Sequence, residues 1–178
     1  MDEAMSLELF TVSDLIKKFL PIENKEDDLE SKELKNFLDV KRTLLEGANE
    51  DSELLSKLRE ISSKSDYYIE KEIILSVFES KNKRNANALR HAQNALLRIN
   101  SEESSTENEL KIQIESWIAE IQVQSKRYDE AEQMYRKLIR ENPKYSYKKK
   151  DDFLTEIGFP IVPDWMDWNY KLGDILAI

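Results

Sequence analysis

His91 is the single histidine of the chain, and there is no cysteine. An imidazole works as a general base only when a nucleophile or a second acid lies within hydrogen-bond reach. His91 has no Ser or Cys partner in any nucleophile pattern and sits near an alanine-rich face, so it reads as a structural or solvent-facing residue. Paired carboxylates at Asp27-Asp28, Asp151-Asp152 and Asp164 with Asp167 could ligate a cation or act as an acid and base. In a chain with 36 acidic and 27 basic residues and a net charge of -9, they are more simply a solvated surface. With three scattered glycines there is no phosphate-cradling loop and no dinucleotide fingerprint, because such loops need backbone geometry that other residues resist. No metal site, no cofactor and no enzymatic activity are expected.

Two stretches carry other chemistry. Arg136, Lys137, Arg140, Lys144, Lys148, Lys149 and Lys150, with Tyr145 and Tyr147 among them, could contact phosphates and stack on bases. The same charges could instead offset the C-terminal dipole of a helix, or meet an acidic protein. The net charge repels nucleic acid and anionic lipid at long range, which weighs against an RNA partner. Trp165, Trp168, Tyr170, Leu172, Ile175 and Leu176 suggest a terminal amphipathic helix. Left bare, it would form a sizeable apolar patch. It either folds back over the open end of the helices or serves as an anchor, through Trp165, Trp168 and Tyr170, for a partner or a second copy.

The elements that position these residues are helices. Three Gly and four Pro are few for 178 residues, and sheet proteins mark their frequent turns with those types. A short helix from Ser13 to Leu20 is stopped by Pro21, and an acidic connector follows from Glu23 to Asp28. Leu34, Phe37, Leu38, Leu44 and Leu45 recur at helical spacing up to Gly47, and Leu54, Leu55, Leu58 and Ile61 follow on an antiparallel neighbour. Tyr67 to Asn82 has a wide apolar face, Ala86 to Ile99 an alanine-rich stripe, and Ser101 to Asn108 is a loop. Leu110 to Ile121 and Tyr128 to Leu138 form a hairpin turned at Ser125-Lys126-Arg127 and ended by Asn142-Pro143. Asp151 to Ile157 reads as a short helix, and Phe159 to Pro163 as extended.

In that second hairpin, Tyr128, Ala131, Tyr135 and Pro143 occupy the positions that open, cross, support and close the second helix of a tetratricopeptide repeat, which the segment resembles. Ile118 and Ala119 match the large and small pair at the helix crossing, while Glu115 and Gln122 stand where the family prefers aromatics. Aligned likewise, the preceding hairpin places Leu75 and Ser76 at the crossing, with Ala88, Ala92 and Ala95 opposite. Ala88 and Ala131 are 43 positions apart, against a family period of about 34. The resemblance covers roughly residues 67 to 143.

The expected fold class is therefore all-α: antiparallel helix hairpins stacked as a short right-handed solenoid, with a C-terminal tail that caps or interacts. One domain spans 1–178, with N-terminal helices to 64, two repeat-like hairpins over 65–143 and a basic, aromatic tail over 144–178. The resemblance implies a protein-binding adaptor, scaffold or chaperone-like holder with a groove lined by Glu72, Glu79, Glu115 and Gln122. Their acidity predicts a partner segment with basic residues, and the tail allows a homo-oligomer. The alternatives are a structural subunit of a stable complex and, below it, an RNA-binding accessory protein. The start, Met1-Asp2-Glu3-Ala4, lacks a signal's basic and apolar regions and no stretch could span a membrane, so the cytoplasm is expected.

Overall fold

The computed structural model describes residues 25–45, 52–101, 107–146 and 164–178. They form seven α-helices: α1 (Lys25–Leu45), α2 (Ser52–Glu60), α3 (Tyr68–Lys81), α4 (Asn85–Ser101), α5 (Glu107–Gln124), α6 (Tyr128–Glu141) and α7 (Trp165–Leu176). No strand occurs among the described residues, and no described helix is long and apolar enough to cross a membrane. The expected helix near Ser13 and the segment from Asp151 to Pro163 lie outside the described residues.

Several helix boundaries differ from expectation. α4 runs to Ser101 and α5 begins at Glu107, both inside the run read as a loop. α1 begins at Lys25, inside the run read as a connector.

The chain folds as consecutive antiparallel pairs. Glu33 near the start of α1 accepts a hydrogen bond from the Ser62 amide just past α2 at 2.8 Å, and Lys32 pairs with Glu60 at 3.4 Å. α3 packs most extensively on α4, α5 on α4 and α6, and α7 on α6. Three connected cores result. Phe37, Val40, Leu54 and Leu58 meet Ile74, Leu75 and Phe78 at one end. Ile73, Val77, Ala88, Ala92 and Ala95 meet Ile114, Trp117, Ile118 and Ile121 in the middle. Ile112, Ala119, Ala131, Tyr135 and Leu138 meet Trp168 and Ile175 at the other end.

α3 and α5 therefore have neighbours on all sides. Every residue from Lys71 to Glu79 is buried, as is every residue from Ile112 to Ala119. A helix enclosed in this way must place its polar side chains inside and find partners for each. α6, by contrast, buries one stripe, Ala131, Tyr135 and Leu138, and exposes Gln133, Arg136 and Arg140.

The two central pairs turn in the same way. Lys83 and Lys126, 43 positions apart, both hold a φ of 59°. At the first turn the Arg84 amide donates to the Glu79 carbonyl at 2.8 Å and the Lys83 amide to Ser80 at 2.9 Å. At the second, the Arg127 amide donates to Gln122 at 2.8 Å and the Lys126 amide to Val123 at 2.9 Å. This pairing, with a left-handed residue just past the helix end, satisfies the last carbonyls before the chain reverses. A glycine usually takes that place; here lysine does, in the two polar turns expected at Lys81 to Asn85 and at Ser125 to Arg127.

Candidate functional site

The structure places the four residues expected to line an open groove in the interior. Glu72 is 3%, Glu79 6%, Glu115 3% and Gln122 7% exposed. Three of them are engaged within their own hairpin. Glu72 Oε2 lies 2.8 Å from His91 Nδ1 and accepts from Asn94 Nδ2 at 3.0 Å. Glu115 Oε1 accepts from Lys137 Nζ at 2.7 Å, across the same 22 positions that separate Glu72 from Asn94. Glu79 pairs with Arg84 and accepts from Asn87 Nδ2 at 3.3 Å. Gln122 Oε1 is buried without a hydrogen-bond partner, because Arg127, at the position matching Arg84, turns to Glu130 instead. The acidic-groove expectation is thus corrected: these side chains fasten the first helix of each pair, and their charges are not presented to a basic partner.

The pairing governs the ionisation of Glu72. Burial by itself raises its carboxyl, but hydrogen bonds from His91 and Asn94, aided by the charges of His91 and Lys71, outweigh it and hold the carboxyl below its ordinary value of 4.5. Lys71 is itself buried, with Nζ donating to the Ile61 carbonyl at 3.0 Å. Glu79 is held low in the same sense, with desolvation outweighed by Arg84 and Asn87. A carboxyl with a lowered folded pKa stabilises the fold fully above its unfolded value, and the contribution is lost as pH falls through the folded value. Glu72→Gln is therefore expected to be less stable than the parent near neutral pH, with the gap closing as pH drops below about 4.5. Urea unfolding across that range measures the gap, and a constant gap down to strongly acid solution would contradict the assignment.

Most of the residues assigned to helix crossing come together. Ala119, Ala131 and Tyr135 have no exposed surface, Tyr128 packs against the same core, Ile118 is buried on the other side of α5 in the middle core, and Pro143 lies exposed past the end of α6. The Tyr135 hydroxyl donates to Glu120 Oε1 at 3.2 Å, and burial pushes its ionisation well above the ordinary value. Glu120 also pairs with Lys171 of α7, whose ammonium burial pushes down. A further pattern was not foreseen. Trp117 of α5 donates its indole N–H to Ser76 Oγ of α3 at 2.8 Å, and Trp168 of α7 donates to Ser116 Oγ of α5 at 3.0 Å. Ser76 in turn donates to the Ala88 carbonyl at 2.7 Å.

The three aromatics proposed as a tail anchor do not act together. Trp168 is fully buried, whereas Tyr170 is 73% exposed. Trp165 packs beside the third core, and its amide donates to the Tyr145 carbonyl at 2.9 Å. Tyr145 stacks on Trp168 with ring centres 5.5 Å apart. The tail helix is therefore folded back on α5 and α6, and of the three only Tyr170 faces outward. Asp164, considered as a ligand partner of Asp167, is the N-cap of α7, accepting from the Met166 and Asp167 amides at 2.9 and 3.2 Å.

Of the basic stretch, Arg136 pairs with Glu132, Lys137 with Glu115 and Arg140 with Glu141, while Lys148 to Lys150 lie outside the described residues. What the sequence reading missed is a cleft of about 440 Å³ between the two hairpin turns, lined by Lys83, Arg84, Asn85, Asn87, Ser125 and Arg127. Its signal was present as the Lys-Arg doublet at 83–84 and again at 126–127. Comparison with protein families, with curated proteins and with solved structures finds no match to this chain.

Proposed function

We propose that this chain is a protein-binding helical-repeat module, a short right-handed solenoid of tetratricopeptide-like hairpins that serves as an adaptor, scaffold or chaperone-like holder and not as an enzyme. The observation that carries the reading is the recurrence of one hairpin at 43 positions: the left-handed turn at Lys83 and Lys126, the first-to-second-helix bonds at Glu72 and Glu115, and the small residues Ala88 and Ala131, fully buried in each. α7 continues the series, since Trp168 meets Ser116 as Trp117 meets Ser76. Its exposed side mixes Asp167 and Asp174 with Met166, Tyr170 and Leu176.

Because the first helices are enclosed, the surface left for a partner is the outer side of the second helices. Arg90, Gln93 and Leu97 of α4 and Gln133, Arg136 and Arg140 of α6 are exposed at matching positions. α4 has no acidic residue in its 17. This side therefore suits an acidic segment, and replaces the basic partner first expected. The test is a photo-crosslinking residue at Gln93, Gln133 or Tyr170 in the native cell. Adducts with one protein at Gln93 and Gln133 support the module; none at any of the three sites rules it out.

A second reading, a subunit of a stable complex held through α7, draws on the exposed Met166, Tyr170, Leu176 and Ile178. Adducts at Tyr170 alone favour it.

A further inference from the structure

We infer that the cleft between the two hairpin turns is a docking site for an acidic peptide segment, with carboxylate side chains seated among Lys83, Arg84 and Arg127. This deepens the protein-binding reading above and rests on it. The cleft, about 440 Å³, lies where the start of α4 meets the turn between α5 and α6. It is a concavity large enough for several side chains.

Its lining holds three cations and three neutral polar side chains, and the rest is aliphatic. It includes no carboxylate, in a chain whose acids outnumber its bases by 36 to 27. Arg84 is held in place by a buried partner: it directs its Nε–H at Glu79, and half of its side chain remains exposed. Arg127 makes an exposed pair with Glu130 and is likewise half exposed. A guanidinium has five N–H donors, so each retains donors for a second carboxylate.

One feature disfavours a nucleotide. No aromatic ring lines the cleft, so a base would find nothing to stack on, whereas the carboxylates of an extended acidic segment need only the cations.

The two turns provide a matched test. Lys83 and Lys126 share the same left-handed backbone, where glycine is at ease, so Lys83→Gly and Lys126→Gly each remove one charge without straining the fold. Only Lys83 lines the cleft. Arg127→Gln removes a second lining charge at the expense of one exposed ion pair, which contributes little to stability.

The probe is a fluorescein-labelled, unstructured peptide of Glu and Asp alternating with Gly and Ser, titrated by anisotropy at low ionic strength. The parent should bind it. Lys83→Gly alone should weaken binding about fourfold and its combination with Arg127→Gln about tenfold, while Lys126→Gly, which removes the same single charge as Lys83→Gly, leaves it within about twofold. Equal losses at Lys83 and Lys126 would mean attraction by overall charge and overturn the proposal. No binding by the parent, or displacement of a bound peptide by inorganic phosphate as readily as by unlabelled peptide, also overturns it. Adducts at Gln93 and Gln133 alongside a failed peptide titration would remove the cleft while leaving the module standing.

Discussion

Trp168→Ala is expected to lower the midpoint of thermal unfolding by roughly 6–20 °C. Truncating a fully buried tryptophan costs about 3–5 kcal/mol, and about 1 kcal/mol shifts the midpoint by roughly 2–4 °C in a chain of this size. Trp168 has no exposed surface, fills the third core beside Ala119, Ala131 and Tyr135, and stacks on Tyr145. Its loss also leaves Ser116 without the indole donor. Trp168→Phe should fall between, because it keeps a ring against Tyr145 but loses the hydrogen bond and part of the indole's volume. Scanning calorimetry reads both. A Trp168→Ala midpoint equal to the parent's would mean that α7 does not rest on α5 and α6, and with it would go the placement of α7 as a further first helix.

Ala131→Leu is expected to destabilise by about 2–3 kcal/mol, read as a lower urea midpoint with an unchanged slope. Ala131 has no exposed surface, and shares a core with Ala119 where α5 and α6 cross. A larger side chain there must push the helices apart or leave its rotamer. Ala131→Gly makes the counterpart. It adds no volume and should cost only about 1 kcal/mol from helix propensity. Were Leu tolerated better than Gly, the two helices would not be in close contact at this point, and the crossing drawn from Ile118, Ala119, Tyr128 and Tyr135 would fail.

Both substitutions act on positions whose importance was readable before any coordinates. Ala131 stood out by its spacing from Tyr128 and Tyr135, and Trp168 by its place in an apolar stripe. What could not be read was direction. Trp165, Trp168 and Tyr170 look alike in a sequence, yet they end respectively half-buried, fully buried and exposed. The helix rotates each side chain by a fixed angle, and only the position of α5 and α6 decides which angle faces inward.

The acidic residues of α3 and α5 teach the same lesson more sharply. Periodicity put Glu72, Glu79 and Glu115 on helices, and the repeat resemblance implied an open groove as their setting. Their partners, His91 and Asn94, Arg84 and Asn87, and Lys137, stand up to 22 positions away, on the next helix or, for Arg84, in the turn before it. Whether such pairs meet depends on the register between two helices, and that register is set by the Lys83 and Lys126 turns, which carry no glycine to announce them.

The amino-acid sequence alone determined that the chain is helical, where most of the helices run and which small residues let them cross, because backbone hydrogen bonding and the 3.6-residue period are local properties. Tertiary structure decided which charges are spent inside, that the tail folds back on its neighbours, and that Lys83 and Arg84 of one turn and Arg127 of another border one cleft. Those outcomes depend on distances between elements far apart in the chain, and no local pattern encodes them.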